Sequence, residues 1–107
     1  MRVINQEELN IILKNHKLWL ERKGGKRADL SDTKLNNVDL RYAVLRQADL
    51  SYSNLKCADL AYTDLRDANL KHADLEGAYL RDANLNNANL DQANLKYADL
   101  ENADLRD

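Results

Sequence analysis

Few side chains in this 107-residue sequence have the types that do chemistry, and none are spaced to do it together. The candidate nucleophiles are Ser31, Ser51, Ser53 and the single cysteine, Cys57. A serine needs a histidine and an acid beside it to become reactive. Only His16 and His72 are present, and neither shares a motif with a serine or the cysteine. One cysteine allows no intramolecular disulfide and no cysteine metal cluster. HExxH, GxGxxG and P-loop patterns are absent. The carboxylates recur at a fixed interval, so they read as solvated groups and not as acid–base pairs. The expectation is a non-enzymatic chain with no cofactor and no metal. What remains is recognition. Arg41, Arg46, Arg66 and Arg81, with Tyr42 and Tyr62, have the residue types that anchor protein interfaces.

The framework that must position them occupies residues 28 to 107. A leucine falls on every fifth position from Leu30 to Leu105, sixteen in all. Two residues before each stands a small side chain, Ala at twelve of the sixteen places and Thr33, Val38, Ser53 and Thr63 at the others. One residue before each stands Asp or Asn at thirteen, the exceptions being Lys34, Val44 and Tyr79. A period of five is neither helical nor that of a strand. Five residues advance a helix by about 140° beyond a full turn, which would smear the leucines around it. An alternating strand would place successive leucines on opposite faces. The spacing therefore predicts a short extended piece and a corner, repeated. The small residue and the Leu face inward, and the Asp or Asn between them faces out and hydrogen-bonds near the corner.

The run resembles the pentapeptide-repeat family, whose consensus is A(D/N)LXX. It appears here as Ala-Asp-Leu at 28–30, 48–50, 58–60, 73–75, 98–100 and 103–105, and as Ala-Asn-Leu at 68–70, 83–85, 88–90 and 93–95. The resemblance implies an all-β solenoid, a right-handed quadrilateral β-helix of about four coils capped by a short N-terminal α-helix. Four pentads make one coil, so residues twenty apart stack. Tyr42 then lies over Tyr62, and Asp32, Tyr52, His72 and Gln92 share another edge. Arg46 stacks on Arg66, with Asn86 and Arg106 below, and Arg41 and Arg81 lie on the neighbouring face. Thr33 lies over Ser53, close enough for the two hydroxyls to bond inside the rod. With strands about 4.8 Å apart, the repeat region is roughly 20 Å long.

Residues 1–25 read as a capping helix with a lead-in strand, and 26–107 as the repeat array. Asn5 and Glu8 form a capping-box pair that starts a helix at Gln6. Leu9, Ile12 and Leu13 share one face of it, suited to cover the first coil. The helix is expected to end near Asn15. Leu18-Trp19-Leu20 follows in phase with the leucine series, which favours an extended first repeat over continued helix. The stretch His16 to Leu20 is also similar to segments that precede such arrays in bacterial members. His16 reads as a junction residue and Trp19 as packed under the helix. The far end shows no cap, so Leu90, Leu95, Leu100 and Leu105 are expected to line an open coil, which either meets a second copy in a tail-to-tail homodimer or continues into a longer array.

Charge narrows the function. Residues 1–28 hold seven Lys/Arg and three Glu, a net of +4, whereas residues 29–107 hold nine Lys/Arg and fifteen Asp/Glu, a net of −6. The basic head is small, so direct nucleic-acid binding is not expected. Some family members mimic DNA and bind DNA gyrase and related topoisomerases, which protects against inhibitors. B-DNA presents about twelve charges over ~20 Å, and the −6 here falls well short of it. The array also lacks Phe, common at the central position of those members. With no signal-peptide or membrane-spanning run, the expectation is a cytoplasmic scaffold for an unspecified protein partner.

Overall fold

The structure, a computed structural model, describes residues 1–106. Its regular elements are β1 (Arg2–Val3), α1 (Gln6–Leu20) and β2 (Thr33–Lys34). The rest of the array is joined by single-residue parallel bridges, each to the residue twenty positions on. Four columns result: Asp29–Asp49–Asn69–Asn89, Lys34–Asn54–Asp74–Asn94, Asp39–Asp59–Tyr79–Asp99 and Val44–Asp64–Asn84–Asp104. The chain therefore winds as a solenoid with a twenty-residue repeat. The ladder is local and regular. Asn69, for example, donates its N–H to the Ala48 carbonyl at 2.9 Å, and its own carbonyl accepts from Leu50 at 2.7 Å.

Each corner is a β-turn. From Val38 onward, the N–H of the small residue donates to the carbonyl of the preceding leucine, as from Ala58 to Leu55 at 3.0 Å. The second residue after each leucine from Leu30 to Leu100 has φ near +60°, the mark of a type II turn. Glycine usually fills that place, yet here Gly77 is the only glycine among Asp32, Asn37, Tyr42, Gln47, Tyr52, Cys57 and their successors to Asn102. A left-handed conformation costs a side-chain-bearing residue about 1–2 kcal/mol. An inter-coil hydrogen bond offsets it at each turn from Asp32 to Asn87, as from the Tyr42 N–H to the Ala61 carbonyl at 3.0 Å and from Tyr62 to Arg81 at 2.9 Å.

The leucines fill the interior. Leu30 to Leu80 are at most 1% exposed, and the alanines from Ala48 to Ala83 close the corners beside them. The expected hydroxyl pair does not form. Thr33 donates to the Ser31 carbonyl at 2.7 Å and Ser53 to the Leu50 carbonyl at 2.6 Å. Each hydroxyl finds a carbonyl on its own coil before it can reach its neighbour.

Helix α1 begins as the sequence predicts. Asn5 accepts from the Glu8 N–H at 2.8 Å, and Glu8 accepts from the Asn5 N–H at 3.3 Å. Leu9 is buried, and Ile12 and Leu13 pack against the first coil. The helix does not stop near Asn15, however, and no lead-in strand follows. It continues to Leu20. No helix breaker lies between Asn15 and Gly24, and a C-terminal cap satisfies the final carbonyls. Arg22, at φ 59°, donates to the Trp19 carbonyl at 3.1 Å, and Lys23 donates to the Leu18 carbonyl at 2.9 Å. Gly25 then lets the chain turn back against the helix. A methyl group there would lie 2.3 Å from the Asn15 carbonyl oxygen.

β1 is a further cover absent from the leucine pattern. Arg2 and Val3 pair in parallel with Thr33 and Lys34, extending that column above the first coil. The Arg2 guanidinium donates to the Thr33 hydroxyl at 3.1 Å and to the Asp29 carbonyl at 2.6 Å. Together α1 and β1 close the N-terminal edge of the array, which would otherwise present unpaired backbone groups. Among the described residues, no helix is long and apolar enough to cross a membrane.

Candidate functional site

The outward Asp and Asn residues have a structural task that accounts for their number. Each of the thirteen accepts a hydrogen bond from the backbone N–H two residues on, at 2.9–3.3 Å. They brace the entry to every corner. At Lys34, Val44 and Tyr79 that acceptor is missing.

Where arginine follows the leucine, the same acid also neutralises it. In Asp39-Leu40-Arg41 the two Arg41 bonds to Asp39 measure 3.0 and 2.8 Å. Asp64 holds Arg66 the same way at 2.8 and 2.6 Å, and Asp104 holds Arg106 at 3.0 and 2.7 Å. Arg41 keeps the Asp39 carboxyl down at about 2. Burial pushes Asp64 upward, but its bonds to Arg66 outweigh that and leave it below the usual carboxylate range. Tyr79 removes the acid before Arg81, which instead reaches the next coil, to Glu101 and to Asp99 at 3.4 Å.

Arg46 differs. Val44 stands where the acid would be, and among the described residues Arg46 forms no ion pair. Its Nε is buried with no hydrogen-bond partner. Of the four arginines in the candidate patch, three are thus committed to carboxylates and one is not. The break was visible in the sequence as Val44-Leu45-Arg46 beside three Asp-Leu-Arg triplets, once the acid's role in the triplet is known.

The tyrosines fall where the twenty-residue stacking puts them. Tyr42 and Tyr62 stack with ring centroids 5.1 Å apart and planes 7° from parallel. Tyr52 and His72 stack likewise at 4.7 Å and 15° on another edge. Tyr42 and Tyr62 are 69% and 52% exposed, so the pair is open apolar surface flanked by Arg41 and Arg81. Arg46 and Arg66 stand at the next corner of the coil.

His16 is not a junction residue. It is fully buried within α1 and ties the helix to two parts of the array. Its Nδ1 accepts from the Ala28 N–H at 2.9 Å, and its Nε2 donates to the Arg46 carbonyl at 2.7 Å. Both ring nitrogens are used in the neutral form. Trp19 stacks on His16 at 5.7 Å and stays half-buried at the helix end. It does not lie beneath the helix. Trp19, Leu20, Arg22, Arg46 and Gln47 line a cleft of about 410 Å³.

At the far end Leu90, Leu95 and Leu100 are partly buried and Leu105 is 47% exposed. Among the described residues, their N–H groups have no backbone partner. No three His, Cys, Asp or Glu side chains among the described residues gather as metal ligands.

Comparison with known proteins follows the geometry. The pentapeptide repeat protein alr5209 of Nostoc PCC 7120 superimposes with a TM-score of 0.72 at 33% identity, over 84% of this chain and 71% of that one. A pentapeptide repeat protein of the cyanobacterium Cyanothece 51142 aligns at 35% identity over 73% of this chain and 60% of that one, with a TM-score of 0.44. HetL of Nostoc PCC 7120, involved in heterocyst differentiation regulation, aligns at 36% identity over 77% of this chain and 44% of that one, with a TM-score of 0.42. No curated protein sequence matches. The family profile "Pentapeptide repeats (8 copies)" matches residues 28–67 and again 68–107, so the chain belongs to the pentapeptide-repeat family.

Proposed function

We propose that the chain is a non-enzymatic interaction module, a rigid rod that presents outward side chains to a protein partner. One observation carries this reading. The polar groups that recur through the array are engaged within the fold, while the stacked Tyr42–Tyr62 pair stays exposed on one edge beside the ion-paired Arg41 and Arg81. Tyrosine and arginine are the residues that dominate binding energy at protein interfaces. We take the four coils to wind in the right-handed sense that parallel crossovers overwhelmingly adopt.

The runner-up is DNA mimicry directed at gyrase. The acid excess favours it, but the charge is not laid out as a continuous anionic surface. Asp39, Asp59, Asp64, Asp74, Asp99, Glu101 and Asp104 each face an Arg or Lys within ion-pair distance. A supercoiling assay with purified gyrase separates the two readings. On the interaction reading, micromolar protein neither slows supercoiling nor relieves a quinolone. Either effect would favour mimicry.

A further inference from the structure

We infer that the cleft between the end of α1 and the Arg46 corner is a docking site for an acidic segment of a partner protein. The inference rests on the interaction reading and adds to it a place and a partner chemistry.

The first ground is the broken triplet. Asp39, Asp64 and Asp104 each grip the arginine two residues on with two side-chain bonds. Val44 leaves Arg46 without that grip. Arg46 therefore reaches the cleft uncommitted, with a dehydrated Nε that has no acceptor. A guanidinium without a fixed partner is matched by a carboxylate, whose two oxygens can meet its terminal Nη groups while the Nε stays buried.

The second ground is how firmly Arg46 is held. His16 clamps the Arg46 carbonyl at 2.7 Å, and the same histidine stacks on Trp19. One buried residue thus anchors the Arg46 backbone at the corner and packs against the aromatic wall. Such preorganisation lowers the ordering cost of binding. Arg22 adds a second cation, and Leu20 adds apolar surface beside Trp19.

The surroundings select the ligand. The array is net negative, and Asp64 lies one coil below Val44, close enough to feel the Arg46 charge. A polyanion would meet repulsion from that body, whereas a lone carboxylate meets two cations. The Trp19 and Leu20 wall suits an apolar side chain next to the acid. A Glu or Asp flanked by apolar residues fits both halves of the cleft.

Trp19 is the only tryptophan, so its fluorescence reports on this cleft alone. The probes are acetyl-Leu-Glu-Leu-amide, its uncharged counterpart acetyl-Leu-Gln-Leu-amide, and inorganic phosphate. We expect a saturable change with the Glu peptide and at least tenfold weaker binding of the Gln peptide. Val44→Asp rebuilds the triplet without removing any residue of the cleft. It should weaken the Glu peptide at least tenfold while circular dichroism and melting stay those of the folded protein. Arg46→Gln should do the same, and Arg66→Gln should leave binding unchanged. Equal binding of the two peptides overturns the inference, as does wild-type affinity in Val44→Asp. Saturation by phosphate with no response to the Glu peptide also overturns it. The Tyr42–Tyr62 edge takes no part in this titration, so failure here is distinct from failure of the interaction reading.

Discussion

Leu60→Ala is expected to destabilise the protein by about 2–5 kcal/mol, the range for emptying a fully buried leucine site. Leu60 is 0% exposed and stands between Leu40 and Leu80 in its column. Its neighbours are held by inter-coil hydrogen bonds, as from the Leu60 N–H to the Tyr79 carbonyl at 2.7 Å. The coil therefore cannot shrink around the cavity, which places the cost in the upper part of that range. The same substitution at Leu105, 47% exposed, should cost roughly 1 kcal/mol or less. Urea denaturation of both variants checks the gradient. Equal costs at the two positions would mean that the leucines are not stacked ladders graded by burial.

His16→Ala is expected to cost about 3–5 kcal/mol, because it strands two polar groups and opens a cavity. The Ala28 N–H would lose its acceptor and the Arg46 carbonyl its donor. His16→Gln keeps one donor and one acceptor and should recover part of the loss. The latch also has a pH signature. Burial holds the His16 pKa below its ordinary 6.5; the bond to the Arg46 carbonyl opposes this and the Arg27 charge adds to it. A histidine depressed in the folded state binds its proton more readily when unfolded. Its stabilising contribution is thus complete above about 6.5 and falls as pH drops through that value toward the lower folded one. Melting curves between pH 7.5 and 5 should show a downward slope that His16→Gln lacks. An unchanged slope in the variant would show that His16 does not titrate as a neutral latch.

The array was legible because its interior obeys one rule. Leucine every fifth residue cannot be shared by a helix or an alternating strand, and the structure places those leucines inside. The Tyr42–Tyr62 and Tyr52–His72 stacks follow from twenty-residue coils, a length that the period of five alone does not supply, since neighbouring pentads are nearly identical. The turn geometry was hidden because tyrosine, glutamine and histidine occupy left-handed positions where glycine is the usual signal. The pattern hides the last turn of α1, because Leu20 falls in phase with the array by coincidence and Arg22 takes the capping role that glycine commonly marks. The His16 latch left no pattern at all. Its partners are backbone groups twelve and thirty residues away, and any residue but proline at position 28, or any residue at 46, would offer them. In the candidate patch, sequence located the arginines but not their partners. Val44 carried that information, as a single departure in an outward position where departures look neutral.

The interaction reading is tested most directly by comparing what the immobilised chain and its Tyr42→Ser/Tyr62→Ser variant retain from a lysate of the source cells, by quantitative mass spectrometry. Both tyrosines are more than half exposed, so the double change should shift stability by only about 1 kcal/mol or less. Loss of an aromatic anchor commonly costs an interface about 2 kcal/mol, more than tenfold in affinity. The account predicts at least one protein retained by the wild type and depleted roughly tenfold on the equally folded variant. Identical retained sets on the two would contradict it.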